Sequence, residues 1–119
     1  MIKTKRVYDG TSQGDGYRVL ADRFYPRGLT KHQANYRVWT KTLAPSAGLI
    51  KWFHADPAKR WAAFKTRYGR ELRSPDNKEA IRTLIERLRK KKITTLLFGS
   101  KDPKRNNAIV LASFLRRRL

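Results

Sequence analysis

The feature that most constrains the fold of this chain is an uninterrupted run of apolar and β-branched residues from Ile93 to Phe98. Apolar and polar positions do not alternate within it, so it predicts a strand that is covered on both faces, as in a parallel sheet. Segments with helical apolar periodicity stand on either side of the run. The sequence therefore predicts an α/β fold, with a small, mostly parallel sheet flanked by helices.

Caps, turns and apolar spacing predict the remaining elements. A first strand over Ile2 to Tyr8 and a second over Tyr17 to Phe24 are separated by a glycine-rich turn. Potential N-caps at Thr30, Ser46, Asp56 and Ser74 each precede a segment with apolar residues at helical spacing. The predicted helices are Lys31 to about Leu43, a short one after Ser46, one after Asp56-Pro57, one after Ser74-Pro75-Asp76, and a last one from about Lys104 to Arg117.

Length and composition restrict the class of protein. With 119 residues, the chain is predicted to form a single domain over residues 1–119. It contains no cysteine and only two isolated histidines, which excludes disulfides and thiolate chemistry and argues against a bound metal. No cofactor is predicted. The first residues do not resemble a signal peptide, and no window approaches the roughly 20 apolar residues of a membrane span, so a cytoplasmic location without membrane contact is expected.

The charge balance is strongly basic. Lys and Arg number 29 against nine Asp and Glu, a formal net charge of +20. Such a chain is expected to bind polyanions with an affinity that falls steeply with salt. The cations are spread along the whole chain, with denser runs only at Arg89 to Lys92 and Arg116 to Arg118. Two interpretations therefore stay open, non-specific nucleic-acid binding and a solvated basic surface adapted to one lineage.

Polar groups cluster where two predicted strands end. Asp22, Arg23 and Arg27 stand where the apolar run of the second strand, Tyr17 to Ala21, stops, and a loop from Gly99 to Pro103 follows the last strand. A strand, a glycine loop and a helix N-terminus in that order suit anion binding. Asp102 at the end of the loop also fits an ordinary N-cap that satisfies those amides itself.

The chain is identified as similar to the bacterial YeaO-like family, whose members are domains of unknown function. The similarity extends over nearly the whole chain in order. It rests on Asp15-Gly16-Tyr17-Arg18-Val19-Leu20, Asp22-Arg23, Pro26-Arg27-Gly28, Leu43-Ala44-Pro45-Ser46, Trp52-Phe53, Trp61 with Phe64 and Tyr68, Glu71-Leu72, Leu96-Leu97, and Asn106-Asn107-Ala108 with Leu111.

The resemblance implies a possible rhodanese-like arrangement, but it supplies no activity. In longer relatives a later strand ends in a cysteine, and that position falls near Phe98, so sulfur transfer by a thiolate is excluded here. Similar members usually have Leu-Trp before Pro-Arg-Gly, where this chain has Phe24-Tyr25, and often an acidic residue before the helix tryptophan, where it has Arg37-Val38. Whether the protein is an enzyme is left open.

The same resemblance implies that the two strand ends are neighbours at one edge of the sheet. Arginines and amides gathered there suit a phosphorylated or nucleotide-like ligand. Asp22 is a candidate base or hydroxyl-binding group, and Asp102 is its candidate acid–base partner. Alternatively, Asp22 and the arginines form a buried salt-bridge and turn-capping network in a purely structural or interaction domain. The candidate ligand-binding residues are Arg18, Arg23, Tyr25, Arg27, Ser100, Lys101, Asn106 and Asn107.

Overall fold

The apolar run singled out above is the central strand of the sheet. The computed structural model describes residues 1–119 and contains four strands, β1 (Ile2–Arg6), β2 (Tyr17–Leu20), β3 (Val38–Trp39) and β4 (Thr94–Phe98), in the order β1-β4-β2-β3. All neighbouring strands are parallel. β4 pairs with β1 on one side and β2 on the other, both faces of the sheet are covered at this strand, and all five of its residues are buried. The predicted α/β class with a parallel sheet is confirmed.

Five helices connect and cover the strands. They are α1 (Lys31–Ala34), α2 (Ala47–Ala55), α3 (Pro57–Leu72), α4 (Lys78–Arg89) and α5 (Asn107–Arg116), with single 3-10 turns at Val7–Asp9, Gln13–Asp15, Lys41–Leu43 and Pro75–Asn77. The predicted caps of α2 and α3 are confirmed, since the Ser46 hydroxyl accepts from the Leu49 N–H and the Asp56 carboxylate from the Lys59 N–H. No helix combines the length and the apolar character needed to cross a bilayer.

The two faces of the sheet are covered differently. Val19 and Leu96 point to the face on which α2 to α5 pack, and they belong to the main core of 21 buried residues. Several aromatic side chains lie there, with the rings of Phe53 and Phe64 stacked at 4.2 Å between centroids. Leu20 and Leu97 point to the opposite face, where loops and the short α1 bury a smaller cluster. Strand periodicity thus divides the apolar residues into two cores of unequal size.

The predicted helix from Lys31 to Leu43 is wrong. Asn35 adopts a left-handed conformation with a φ of 47° and ends α1 after four residues. The chain then pairs with β2 as β3, and the Thr40 N–H donates to the Leu20 carbonyl at 2.9 Å. Val38-Trp39-Thr40 is a β-branched and aromatic segment that fits a sheet edge better than a helix. Pairing with β2 therefore outweighs the helical spacing of its aromatic residues.

Several predicted boundaries are also corrected. The first strand ends at Arg6 and the second at Leu20, because their carboxyl ends turn away from the sheet to build loops. The last helix begins at Asn107 and not at Lys104. Its N-cap is Asn106, whose side-chain oxygen accepts from the Ile109 N–H at 3.1 Å. Asp102, the predicted cap, closes a turn in the preceding loop.

Candidate functional site

The ends of β2 and β4 lie side by side, as predicted. These strands are neighbours in the sheet, and beyond them the Ala21 N–H donates to the Leu97 carbonyl at 2.9 Å. The loop that follows β2 and the loop that follows β4 therefore leave the sheet at the same edge. In parallel sheets this carboxyl edge is where ligands bind.

Asp22 links the two loops. Its Oδ1 accepts from the Asn107 side-chain amide at 3.0 Å, and its Oδ2 accepts from the Gly99 backbone N–H at 2.8 Å. A Cβ on Gly99 would lie only 3.0 Å from Oδ2, so glycine permits this close approach. Burial raises the pKa of the Asp22 carboxyl above its ordinary value, although both hydrogen bonds and the nearby His54 oppose the increase.

An open cavity of about 600 Å³ lies beside Asp22. Its lining combines residues from both loops with two residues of α2. Six of the lining residues are candidates from the sequence, and four are not. The candidates are Asp22, Arg23, Arg27, Ser100, Lys101 and Asn107, and the additional residues are Phe24, Ile50, His54 and Gly99.

The cavity lining is predominantly cationic. Arg23 is held by hydrogen bonds from its guanidinium to the Pro45 carbonyl at 2.7 Å and the Ala44 carbonyl at 3.3 Å. Arg27 and Lys101 are exposed and form no ion pair. Asp22 is the only carboxylate in the lining, and it forms no ion pair with either arginine. The site therefore carries an excess of positive charge that no protein group neutralises.

Arg18 lies away from this cavity in a buried polar cluster. Its guanidinium is 2.5 Å from the Asp15 carboxylate and also donates to the carbonyls of Ala34 and Asn35. Lys5 approaches the same carboxylate at 3.2 Å. Burial acts to raise the pKa of Asp15, but hydrogen bonds from Ser12, Lys5 and Arg18 outweigh it and lower the pKa to about 2. This cluster is the buried ion-pair network of the fold, and Asp22 is not part of it.

Three other candidates also lie outside the lining. Tyr25 packs edge-to-face on Trp39 with 5.8 Å between ring centroids. Asn106 is buried as the cap of α5. The Asp102 Oδ1 accepts from the backbone N–H groups of Lys104 and Arg105. The structure does not bring Asp102 into the cavity with Asp22, and a catalytic role for either carboxylate stays a prediction.

His54, Ile50 and Phe24 are the lining side chains that the sequence did not single out. Ile50 and His54 are four residues apart on α2, so they lie on one helix face, and this spacing was the available signal. Phe24 is the last residue of the predicted second strand, whereas in the structure it lies beyond β2 and is 61% exposed at the cavity. No sequence signal showed that α2 packs beside the two loops.

Comparisons with known proteins agree on one family. The sequence profile described as the inactive DUF488-N3 subclade matches residues 1–119. The chain is 40% identical over 115 residues to the uncharacterized protein YeaO of Escherichia coli K12, covering 97% of this chain and 96% of the relative. It is 33% identical over 114 residues to the uncharacterized protein Rv3073c of Mycobacterium tuberculosis H37Rv, covering 96% and 92%. No solved structure matches significantly.

Proposed function

The chain belongs to the DUF488-N3i family, the inactive DUF488-N3 subclade, and on this premise we propose that its cavity binds a small phosphorylated ligand of the nucleotide type without turning it over. The description of the subclade as inactive favours a binding role over a catalytic one. The chain also contains no cysteine, so it cannot catalyse a reaction through a thiolate, which agrees with a binding role.

The excess of unneutralised cations in the cavity is the observation that carries the proposal. Arg27 and Lys101 come from opposite loops, and neither is neutralised by a carboxylate. Guanidinium and ammonium groups that converge on one concavity bind phosphate through charge-assisted hydrogen bonds. The Arg23 side chain is held in place by two carbonyls, which lowers the entropic cost of using its remaining donors.

The apolar part of the lining favours a ligand that carries a ring. Phe24 is 61% exposed at the cavity, and Ile50 also lines it. Small-molecule sites combine apolar walls with a few polar groups that fix orientation. A nucleotide matches both parts, since its base can contact Phe24 while its phosphate contacts the cations.

Asp22 has a positioning role in this proposal. Both carboxylate oxygens accept hydrogen bonds from groups that follow β4, the backbone N–H of Gly99 in the second loop and the side-chain amide of Asn107 at the start of α5. These bonds keep the two loops at the separation that lets their cations face one cavity. The same bonds reduce the availability of the carboxylate as a general base.

Isothermal titration calorimetry with AMP, with inorganic phosphate as a second probe, tests the proposal. The charge-removing variant Arg27→Gln/Lys101→Gln is compared with Lys31→Gln/Lys104→Gln, which removes two exposed charges outside the lining. We expect the Kd for AMP to rise at least roughly tenfold in the first variant and to stay unchanged in the second. Equal weakening in both variants, or no binding by the wild type at 0.15 M salt, would contradict the proposal and favour a structural domain.

A further inference from the structure

The two densest basic runs of the sequence converge in space. The run from Arg89 to Lys92 begins at the last residue of α4, and the run from Arg116 to Arg118 begins at the last residue of α5. The Arg89 guanidinium donates to the Arg118 carbonyl at 3.0 Å across 29 positions of sequence. The Arg116 guanidinium donates to the Ile2 carbonyl at the start of β1. The runs therefore meet at the amino edge of the sheet, opposite the cavity.

A groove of about 380 Å³ extends from this meeting point between the end of α3, α4 and α5. Arg73, Lys78 and Arg118 line it, and Arg89 adjoins it through its bond to Arg118. We refer to these four cations as the basic groove. All four are exposed, and none forms an ion pair.

The carboxylates of the chain leave the basic groove uncompensated. Glu79 and Glu86, the acidic residues of α4, both pair with Arg82, and neither lines the groove. Asp76 stands in the turn before α4 but does not line the groove. Only five of the 29 Lys and Arg side chains form ion pairs anywhere in the protein. The basic groove is therefore a surface that a negatively charged partner can neutralise.

Two of the four cations are held in place before any partner binds. The Arg118 guanidinium lies 3.5 Å from the centroid of the Phe114 ring, and it donates to the Phe114 carbonyl at 3.0 Å. The bond from Arg89 to the Arg118 carbonyl restrains a second guanidinium. Each retains further N–H donors, and restrained side chains lose less entropy on binding.

We infer that the basic groove binds the phosphate backbone of nucleic acid, independently of sequence. The twelve residues from Lys78 to Arg89, separated by eleven steps of roughly 1.5 Å, span about 16 Å along α4. That length corresponds to about five phosphates of one strand of duplex DNA, at about 3.4 Å per phosphate along the axis. A concave positive surface follows a backbone, whereas a flat bilayer reaches only the rims of a groove.

Fluorescence anisotropy with a labelled 20-base-pair DNA duplex, measured from 50 to 300 mM salt, tests this inference. The groove variant is Arg73→Gln/Lys78→Gln/Arg89→Gln/Arg118→Gln. The control variant, Lys31→Gln/Arg37→Gln/Lys51→Gln/Lys59→Gln, removes the same charge from exposed positions elsewhere. We expect the slope of log K against log salt to become less steep by about 3 to 4 in the groove variant, because each lost phosphate contact removes about 0.9. In the control the slope should change by less than about 1.

An equal change in both variants would overturn the inference, because the binding would then come from net charge alone. Binding of polyglutamate that is as tight as that of the duplex, and is lost in the same variant, would overturn it in favour of an acidic protein partner. If the fourfold variant does not fold, the double variant Arg73→Gln/Lys78→Gln takes its place in the same experiment, because it replaces two side chains that make no hydrogen bond. Its slope should become less steep by about 2, and an unchanged slope would count against the groove.

Discussion

Replacing Asp15 by Asn should remove the most strongly stabilised charge of the fold. Asp15 is 4% exposed, and it is the only acidic residue that is fully buried. Its carboxylate contacts Arg18, itself 3% exposed, as well as Lys5 and the N–H and hydroxyl of Ser12. The substitution keeps the size of the side chain but leaves the Arg18 guanidinium buried without a counter-charge.

Two estimates set the size of the effect. Removing one partner of a buried ion pair costs about 3–5 kcal/mol. The pKa of Asp15 is lowered from its ordinary 3.8 to about 2, which corresponds to about 2 kcal/mol of stability at neutral pH. We therefore expect Asp15→Asn to lower the free energy of unfolding by about 3 kcal/mol at pH 7. This is a large share of the roughly 5–15 kcal/mol that is typical of a domain.

The pH dependence supplies an independent check. Because the pKa of Asp15 is lower in the folded state, its contribution is present above pH 4 and is lost as the pH falls through the range from about 4 to about 2. The difference in stability between the wild type and Asp15→Asn should therefore narrow by about 2 kcal/mol between pH 7 and pH 2. Taking the difference cancels the titration of other carboxyls, including Asp22, whose raised pKa acts with the opposite sign.

Urea unfolding followed by tryptophan fluorescence measures both quantities. Asp9→Asn is the matched control, because the Asp9 side chain is 57% exposed and lies 3.9 Å from Arg6 in a surface pair. That substitution should cost less than about 1 kcal/mol. A loss below about 1 kcal/mol for Asp15→Asn at pH 7, or a difference that stays constant down to pH 2, would refute the assignment of Asp15 to a stabilising buried ion pair.

Two further substitutions test backbone and side-chain features of the core. Gly16→Ala should destabilise the protein by more than about 2 kcal/mol in the same unfolding assay, because φ is +63° there and a Cβ would lie 2.3 Å from the Ile93 carbonyl oxygen. Gly10 also has a positive φ but open space around it, so Gly10→Ala should cost only about 1 kcal/mol. Equal losses in the two variants would show that the contact between a Cβ at position 16 and the Ile93 carbonyl has no effect. Tyr68→Phe should lower the free energy of unfolding by about 1–3 kcal/mol, because it leaves the buried Leu43 carbonyl without the 2.5 Å hydrogen bond from the Tyr68 hydroxyl. Thermal melts measure this loss, and an unchanged Tm would count against that hydrogen bond.

The sequence by itself identified the elements whose signals are local. The buried strand β4 is an uninterrupted apolar run, and its composition alone indicates burial on both faces. The starts of α2 and α3 follow from Ser46 and Asp56, since a cap acts on backbone groups only two or three residues away. Family motifs at the ends of two strands located most of the residues that line the cavity.

Tertiary structure decided every feature that depends on a partner distant in sequence. Trp39 has helical spacing with Tyr36 and Leu43, yet Val38 and Trp39 form β3 because hydrogen bonds with β2 are available only after folding. Arg18 belongs to a family motif and was predicted to bind ligand, but the turn at Gln13–Asp15 brings the Asp15 carboxylate against its guanidinium and the pair is buried. His54 reaches the cavity only because α2 packs beside the two loops. Such outcomes depend on which surfaces meet, and no local pattern of residues contains that information.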